Sequence, residues 1–382
     1  MLSKEKSLHQ AAARFHQDMP FQNGAFSKRN WGHALHSLCS YQGKLKPAMA
    51  HWLVKEFVPE GGRLLDLLGG VGTIPFEAAL QGREAVSNDK SPFPATVATA
   101  KLDPPTLEEA LSAWQNLWLK IEEVELSSSD IDAAHFGLNG KVCEYYHPDT
   151  LREVLKARNL FLEGSYVSKE ENFAWASLLH VLHGNRPYAL SRTSHPITPF
   201  SPSGEFVYKS VYEKVRNKIS TALKTPLPNE FLPGVGLYGD FRDLNSKDIG
   251  LFDAIITSPP FLGMRFDRPN WLRLWFCGWS EVDFHERSLG FLERQQIKSS
   301  ECYAEFIDQA AALLKPSGTL IIHIGSGDGK GKRLDVDIAN LAAAKFNLVY
   351  EIKEDVSQAQ KHGIKDKGMT KYNHLLFYVK NQ

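Results

Sequence analysis

About two thirds of the way along the chain, Thr257-Ser258-Pro259-Pro260-Phe261 brings a hydroxyl, a row of carbonyls and an aromatic ring into one short segment. Each proline lacks an N–H and has a fixed φ, so a strand ladder cannot continue through them. The preceding run, Leu251–Thr257, is apolar and β-branched and reads as a buried strand. The chain must therefore leave the sheet at its carboxyl edge in a stiff turn, and that edge is where open α/β sheets bind ligands. Ser258 Oγ and the Pro259 carbonyl are acceptors suited to the hydrogens of an amine. A ring amine is a poor nucleophile because its lone pair is delocalised. Holding its hydrogens lets the nitrogen become more tetrahedral as a new bond forms. Pro260 belongs to the same stiff turn, and Phe261 offers a flat face to a base drawn out of its stack. Chemistry of this kind depends mostly on positioning and needs no strong general base.

A second group of residues suits a nucleoside-like ligand. Asp66-Leu-Leu-Gly69-Gly70-Val71-Gly72-Thr73 is a strand running into a glycine turn and then a helix. Glycine lets backbone approach a ligand, and the helix start offers free N–H groups. Asp89 ends the next strand, where a carboxylate accepts from ribose hydroxyls. NAD normally asks for a third glycine, but Pro75 stands three residues after Gly72. S-adenosylmethionine has no phosphate and needs only the tight turn and the ribose carboxylate. Asp66 is placed to orient its ammonium group. At the end of a third strand, Asp240 can accept from an adenine amino group and Phe241 can stack on the ring.

Taken together, the chain resembles the S-adenosylmethionine-dependent amino-methyltransferases of DNA, cytosine-N4 type, over about residues 33–102 and 235–380. His36-Ser-Leu-Cys-Ser-Tyr41-Gln-Gly-Lys44-Leu-Lys-Pro47 resembles the family's N-terminal motif, which closes over the methionine end of the cofactor. Tyr41, Lys44 and Pro47 are cofactor residues on that resemblance. Gly70, Gly72, Thr73 and Glu77 match its glycine turn and helix, with Leu68 where the family carries an aromatic. Ser258-Pro-Pro-Phe261 is the Ser form of the catalytic motif, and implies cytosine N4 over adenine N6. The resemblance implies a nucleic-acid substrate, DNA first and structured RNA or adenine in DNA as alternatives. A silent nucleic-acid-binding relative is a further alternative, against which the intact motifs weigh.

The elements that position these groups follow from periodicity. Strands are expected at Arg63–Leu68, Glu84–Asp89, Val235–Asp240, Leu251–Thr257 and Gly318–Ile324, with Asn347–Lys353 and His374–Val379 as a closing antiparallel pair. Helices are expected at 45–58, Thr73–Leu80, Phe93–Leu102, Tyr303–Leu314 and Val336–Ala344. The fold class is α/β: a Rossmann-like, seven-stranded methyltransferase sheet with helices on both faces. Residues 31–102 and 231–382 form its methyltransferase domain. Residues 103–230 are a large helical and irregular insertion between the second and third strands, a candidate for substrate recognition. Residues 1–30 are polar and read as a loose arm.

Further donors stand outside the motifs. Arg186, Arg192 and His195 lie in a Pro/Ser/Thr-rich stretch and suit phosphates or base edges. Arg265 and Arg268 follow the proline turn and are candidate substrate contacts. Trp271, Trp275 and Trp279, four apart, read as the buried stripe of a helix. Forty-four basic and 44 acidic residues cancel, so nucleic-acid binding must come from a local patch. Four scattered cysteines support neither a zinc site nor a disulfide framework. With a polar N-terminus and no long apolar run, the expectation is a soluble, cytoplasmic protein.

Overall fold

A computed structural model describes every residue except 1, 29, 165–166, 194–199, 328–332, 357–359, 362–363, 366–369 and 382. The short apolar runs become strands β1 (Arg63–Asp66), β2 (Glu84–Asp89), β3 (Val235–Tyr238), β4 (Phe252–Thr257), β5 (Leu314–Ser326), β6 (Phe346–Asp355) and β7 (Tyr372–Lys380). They form one sheet in the order β3-β2-β1-β4-β5-β7-β6. The first five are parallel, and β7 runs antiparallel between β5 and β6. This is the Rossmann-like arrangement expected from the sequence, down to the antiparallel closing pair. The strand order reverses between β1 and β4, which opens a crevice above their carboxyl ends.

The central strands are covered on both faces, as parallel sheets require. Along β4, Ala254 and Ile256 point into one core, while Ile255 points into the other. Helices α1 (Leu2–Asp18), α2 (Pro47–Phe57), α3 (Thr73–Leu80) and α4 (Pro92–Leu102) pack on the first face. Four of the insertion's described helices, α5 (Leu107–Glu123), α6 (Pro148–Glu163), α7 (Lys169–Val181) and α8 (Val211–Ala222), extend that same core. After β4 come α9 (Trp271–Phe276) and α10 (Leu292–Lys298). The second face is covered by α11 (Cys302–Leu313) and α12 (Leu334–Ala342).

Local rules explain most boundaries. Capping boxes at Thr106/Glu109 and Ser168/Glu171 start α5 and α7. Pro47 and Pro92 occupy the first turns of α2 and α4, where their missing N–H costs nothing. Two expectations are corrected. Residues 1–30 are not a loose arm: α1 buries Leu8, Ala12 and Phe15 and packs on β6 and β7. Strand β5 begins at Leu314 rather than Gly318, because Leu314 pairs with Phe252 before a bulge, with Ser317 at φ 57°, resumes the ladder at Thr319. Among the described residues no helix is long and apolar enough to cross a membrane.

Candidate active site

The crevice above β1 and β4 is an open cleft lined by residues of the glycine turn, the Tyr41 segment and the proline turn. Its floor is the glycine turn between β1 and α3. Gly72 precedes α3 at φ 67°, and a Cβ there would sit 2.9 Å from the Cβ of Ala98 on α4. Gly70, at φ 52°, faces the cleft, and a Cβ there would meet only the Tyr41 ring, at 3.4 Å. The two glycines thus serve different ends, since Gly72 lets two helices touch and Gly70 leaves room above the turn. Gly72 itself does not line the cleft.

Asp89 ties β2 to that turn. Its Oδ2 accepts from the Gly70 N–H at 2.9 Å and its Oδ1 from the Ser91 N–H at 2.8 Å. Burial pushes its carboxyl up to about 6, against the pull of those two amides. Asp66 is buried beneath the turn and accepts from the Leu68 N–H at 3.2 Å. Burial pushes it up to about 7. Thr73, in the first turn of α3, also lines the cleft, and its buried Oγ1 has no partner among the described residues. A buried orphan hydroxyl beside a helix start calls for a ligand atom.

One wall is the segment carrying Tyr41 and Lys44. Lys44 Nζ donates to the His36 carbonyl at 2.7 Å. The His36 Nε2–H donates to Glu77 of α3 at 2.6 Å, and His51 Nδ1–H to the other Glu77 oxygen at 3.0 Å. Burial works against ionised Glu77, yet these two imidazoles hold its carboxyl below the usual range. His36 is pushed down to about 4 by burial and so stays neutral. Pro47 starts α2 outside the cleft lining. The Tyr41 ring stacks parallel to Phe266, with centroids 5.5 Å apart.

The far side carries Asp240 and Phe241. Asp240 already holds Lys90 Nζ at 2.8 Å and Arg242 Nη1 at 3.0 Å, which outweigh burial and keep its carboxyl below the usual range. Phe241 is 3% exposed, with its ring edge-on to Phe306 in the second core. Both line the cleft, but the acid is a clamp for two cations, and the ring is packed into the protein.

At the proline turn, Ser258 and Pro260 line the cleft; Pro259 and Phe261 do not. The Phe261 ring leans on His323, centroids 5.3 Å apart, and covers Gly325, where a Cβ would lie 2.5 Å from the ring. The donors expected for substrate are not gathered here. Arg186 is exposed and bonds to Tyr188 Oη. Arg192 is engaged by the Gly204 and Glu144 carbonyls. Arg265 forks onto Asp267 at 2.8 and 2.5 Å, Arg268 is exposed, and neither lines the cleft. His195 lies outside the described residues.

Other lining residues had no motif to announce them. Phe266, Asn270, Trp279, Phe291 and Glu293 come from the stretch after the turn. The alternation of aromatics and cations there was the only signal. Glu293 is 6% exposed, accepts from the Phe266 N–H at 3.0 Å, and is pushed up to about 7 by burial.

No family model matches the sequence, and no curated protein matches it. Among solved structures, the chain is similar to TrmN from Thermus thermophilus (13% identity, 89% of this chain and 50% of that one, TM-score 0.34). It is also similar to the rRNA methyltransferase AviRa from Streptomyces viridochromogenes (10%, 94% and 95%, 0.34). A third is a TehB-like S-adenosylmethionine-dependent methyltransferase from Corynebacterium glutamicum (10%, 98% and 98%, 0.33). The chain thus spans half the length of TrmN. At such scores the likeness carries no weight for substrate or activity.

Proposed function

We propose that the chain transfers a methyl group from S-adenosylmethionine to an exocyclic amino nitrogen of a nucleobase, N4 of cytosine in DNA. One observation carries this reading: the glycine turn with Asp89 and the Ser258–Pro260 turn line the same cleft, at the point where strand order reverses.

The cleft residues fit the methyl donor. Asp89 would hold its ribose hydroxyls and Asp66 its ammonium group. Thr73 Oγ1 would gain the partner it lacks, Lys44 and the start of α3 suit its carboxylate, and Tyr41 and Leu68 supply apolar cover. When bound, S-adenosylmethionine supplies an electrophilic methyl group. The chain's own part is to hold the acceptor. Ser258 Oγ, at the cleft lining, accepts from the amine, so that its lone pair turns out of conjugation. Positioning of this kind is worth several powers of ten in rate.

On this reading, 31–102 with 231–382 is the catalytic unit, and 103–230 contributes to substrate recognition. Calorimetry should show S-adenosylmethionine binding, weakened more than about tenfold in Asp89→Ala, since a hydrogen bond to a charged group contributes roughly 1.5–3 kcal/mol. DNA and RNA incubated with enzyme and methyl-labelled donor, then digested to nucleosides, should yield N4-methylcytosine from DNA by mass spectrometry. N6-methyladenine as sole product, or label in RNA alone, would overturn the choice of substrate. Absence of donor binding would overturn the whole reading.

A further inference from the structure

Among the described residues the Ser258 hydroxyl has two partners, and both belong to one residue of the neighbouring strand. His323 Nδ1 lies 3.0 Å from Ser258 Oγ, and the His323 carbonyl oxygen 3.2 Å. His323 sits on β5, 8% exposed, with the Phe261 ring against it. Its Nε2 is buried and has no partner among the described residues. Burial, helped by nearby His374, pushes the imidazole down to about 4, so the ring is neutral at neutral pH.

We propose that His323 is a positioning residue that makes Ser258 an acceptor toward the cleft and thereby selects an amino group as methyl acceptor. The inference rests on the methyl-transfer reading above. A hydroxyl has one proton to give. When Nδ1 is bare, that proton lies on Nδ1 or on the carbonyl of the same residue. When Nδ1 carries hydrogen, it donates to Ser258 Oγ and the serine proton goes to the carbonyl. In both tautomers His323 takes the serine proton, and an Oγ lone pair faces the cleft. An exocyclic NH₂ brings hydrogens to that lone pair. A bare ring nitrogen or a base carbonyl would oppose lone pair to lone pair, leaving both desolvated and unpaired. Phe261 has a place in this arrangement too: its ring, seated over Gly325, holds the imidazole against Ser258.

The test compares wild type with Ser258→Ala, His323→Ala, the double variant and His323→Asn, whose short amide puts a polar atom near the Nδ1 position. Wild type must first methylate a nucleic acid; if it does not, the function above fails, whatever His323 does. Given an active wild type, kcat of His323→Ala should fall at least about tenfold, with KM for nucleic acid and Kd for S-adenosylmethionine within roughly twofold. The double variant should be no slower than Ser258→Ala within about twofold, since the two residues act as one unit. His323→Asn should recover to within about threefold of wild type.

A ring-nitrogen NMR signal, assigned by its absence from His323→Asn, should shift in Ser258→Ala. That readout needs neither turnover nor ligand, and it stands if His323→Ala fails to fold. Wild-type kcat in His323→Ala, losses that multiply in the double variant, a His323→Asn that binds the donor normally yet is as slow as alanine, or an unmoved ring signal would each overturn the proposal.

Discussion

Of the carboxyl groups lining the cleft, Asp66, Asp89 and Glu293 have no paired cation among the described residues. Burial pushes Asp66 and Glu293 up to about 7 and Asp89 up to about 6. An acid whose folded pKa lies above its unfolded value stabilises the fold fully only below the unfolded value. That contribution is lost as pH rises through the folded one. For Asp66 the window therefore runs from about 4 to about 7, with ionised Asp66 a burden on the empty protein at pH 8. Asp66→Asn keeps an oxygen for the Leu68 N–H and removes the charge. It should raise the melting temperature at pH 8 by roughly 1–2 °C per kcal/mol relieved, with the gain shrinking toward pH 5. Affinity for S-adenosylmethionine should fall in the same variant. A stabilising substitution that costs binding marks a group kept for its ligand. A lower melting temperature at pH 8 would show that the carboxylate holds the turn together instead.

At the scale of elements, the turn between β1 and α3 divides its labour between two glycines. Gly72→Ala must hold φ near 67° and press a methyl group onto Ala98. Left-handed strain and overpacking together predict a loss of about 2–4 kcal/mol in denaturant unfolding. Gly70→Ala meets only Tyr41 and should lose about 1–2 kcal/mol of stability, from its φ alone. Its larger effect should be on donor affinity. Equal stability losses would remove the distinction.

The same turn shows what a sequence can disclose. The glycines, Asp66 and Asp89 fall within 24 residues of one another, in one strand–turn–helix–strand unit. Local chemistry fixes such a unit, so it was legible. Glu293 reaches the cleft, and His323 the Ser258 hydroxyl, only through the way α10 and β5 pack, and no spacing announces that. Arg192 misled for a different reason: a donor-rich loop turns first to its own carbonyls, here those of Gly204 and Glu144. The N-terminal helix was hidden by composition. Its buried residues, Leu8, Ala12 and Phe15, follow four- and three-residue steps, but the stripe is one residue wide among polar neighbours.

At the scale of the whole molecule, that narrow stripe joins the main core. Phe15 is 3% exposed and packs on Phe21 and Phe57, with ring centroids 5.8 and 5.5 Å away. Phe15→Ala should cost about 3–5 kcal/mol, as cavity-forming core substitutions do. Thermal unfolding at wild-type temperature would mean that α1 is dispensable.

The segment that presents Tyr41 hangs from residues far along the chain. Lys218 of α8 donates to the Ser37 carbonyl at 2.6 Å, and the Ser40 N–H donates to His180 of α7 at 3.2 Å. Arg273 of α9, fully buried, bridges the Ser40 and Leu179 carbonyls at 2.9 Å each. The chain therefore has no seam at residues 103 and 230 along which an interchangeable cassette could be lifted out. Grafting foreign helices there would cut the moorings of the wall opposite the glycine turn, and leave the guanidinium of Arg273 facing a missing carbonyl. On the proposed function, any change in the insertion must either keep these anchors or loosen the Tyr41 wall with them.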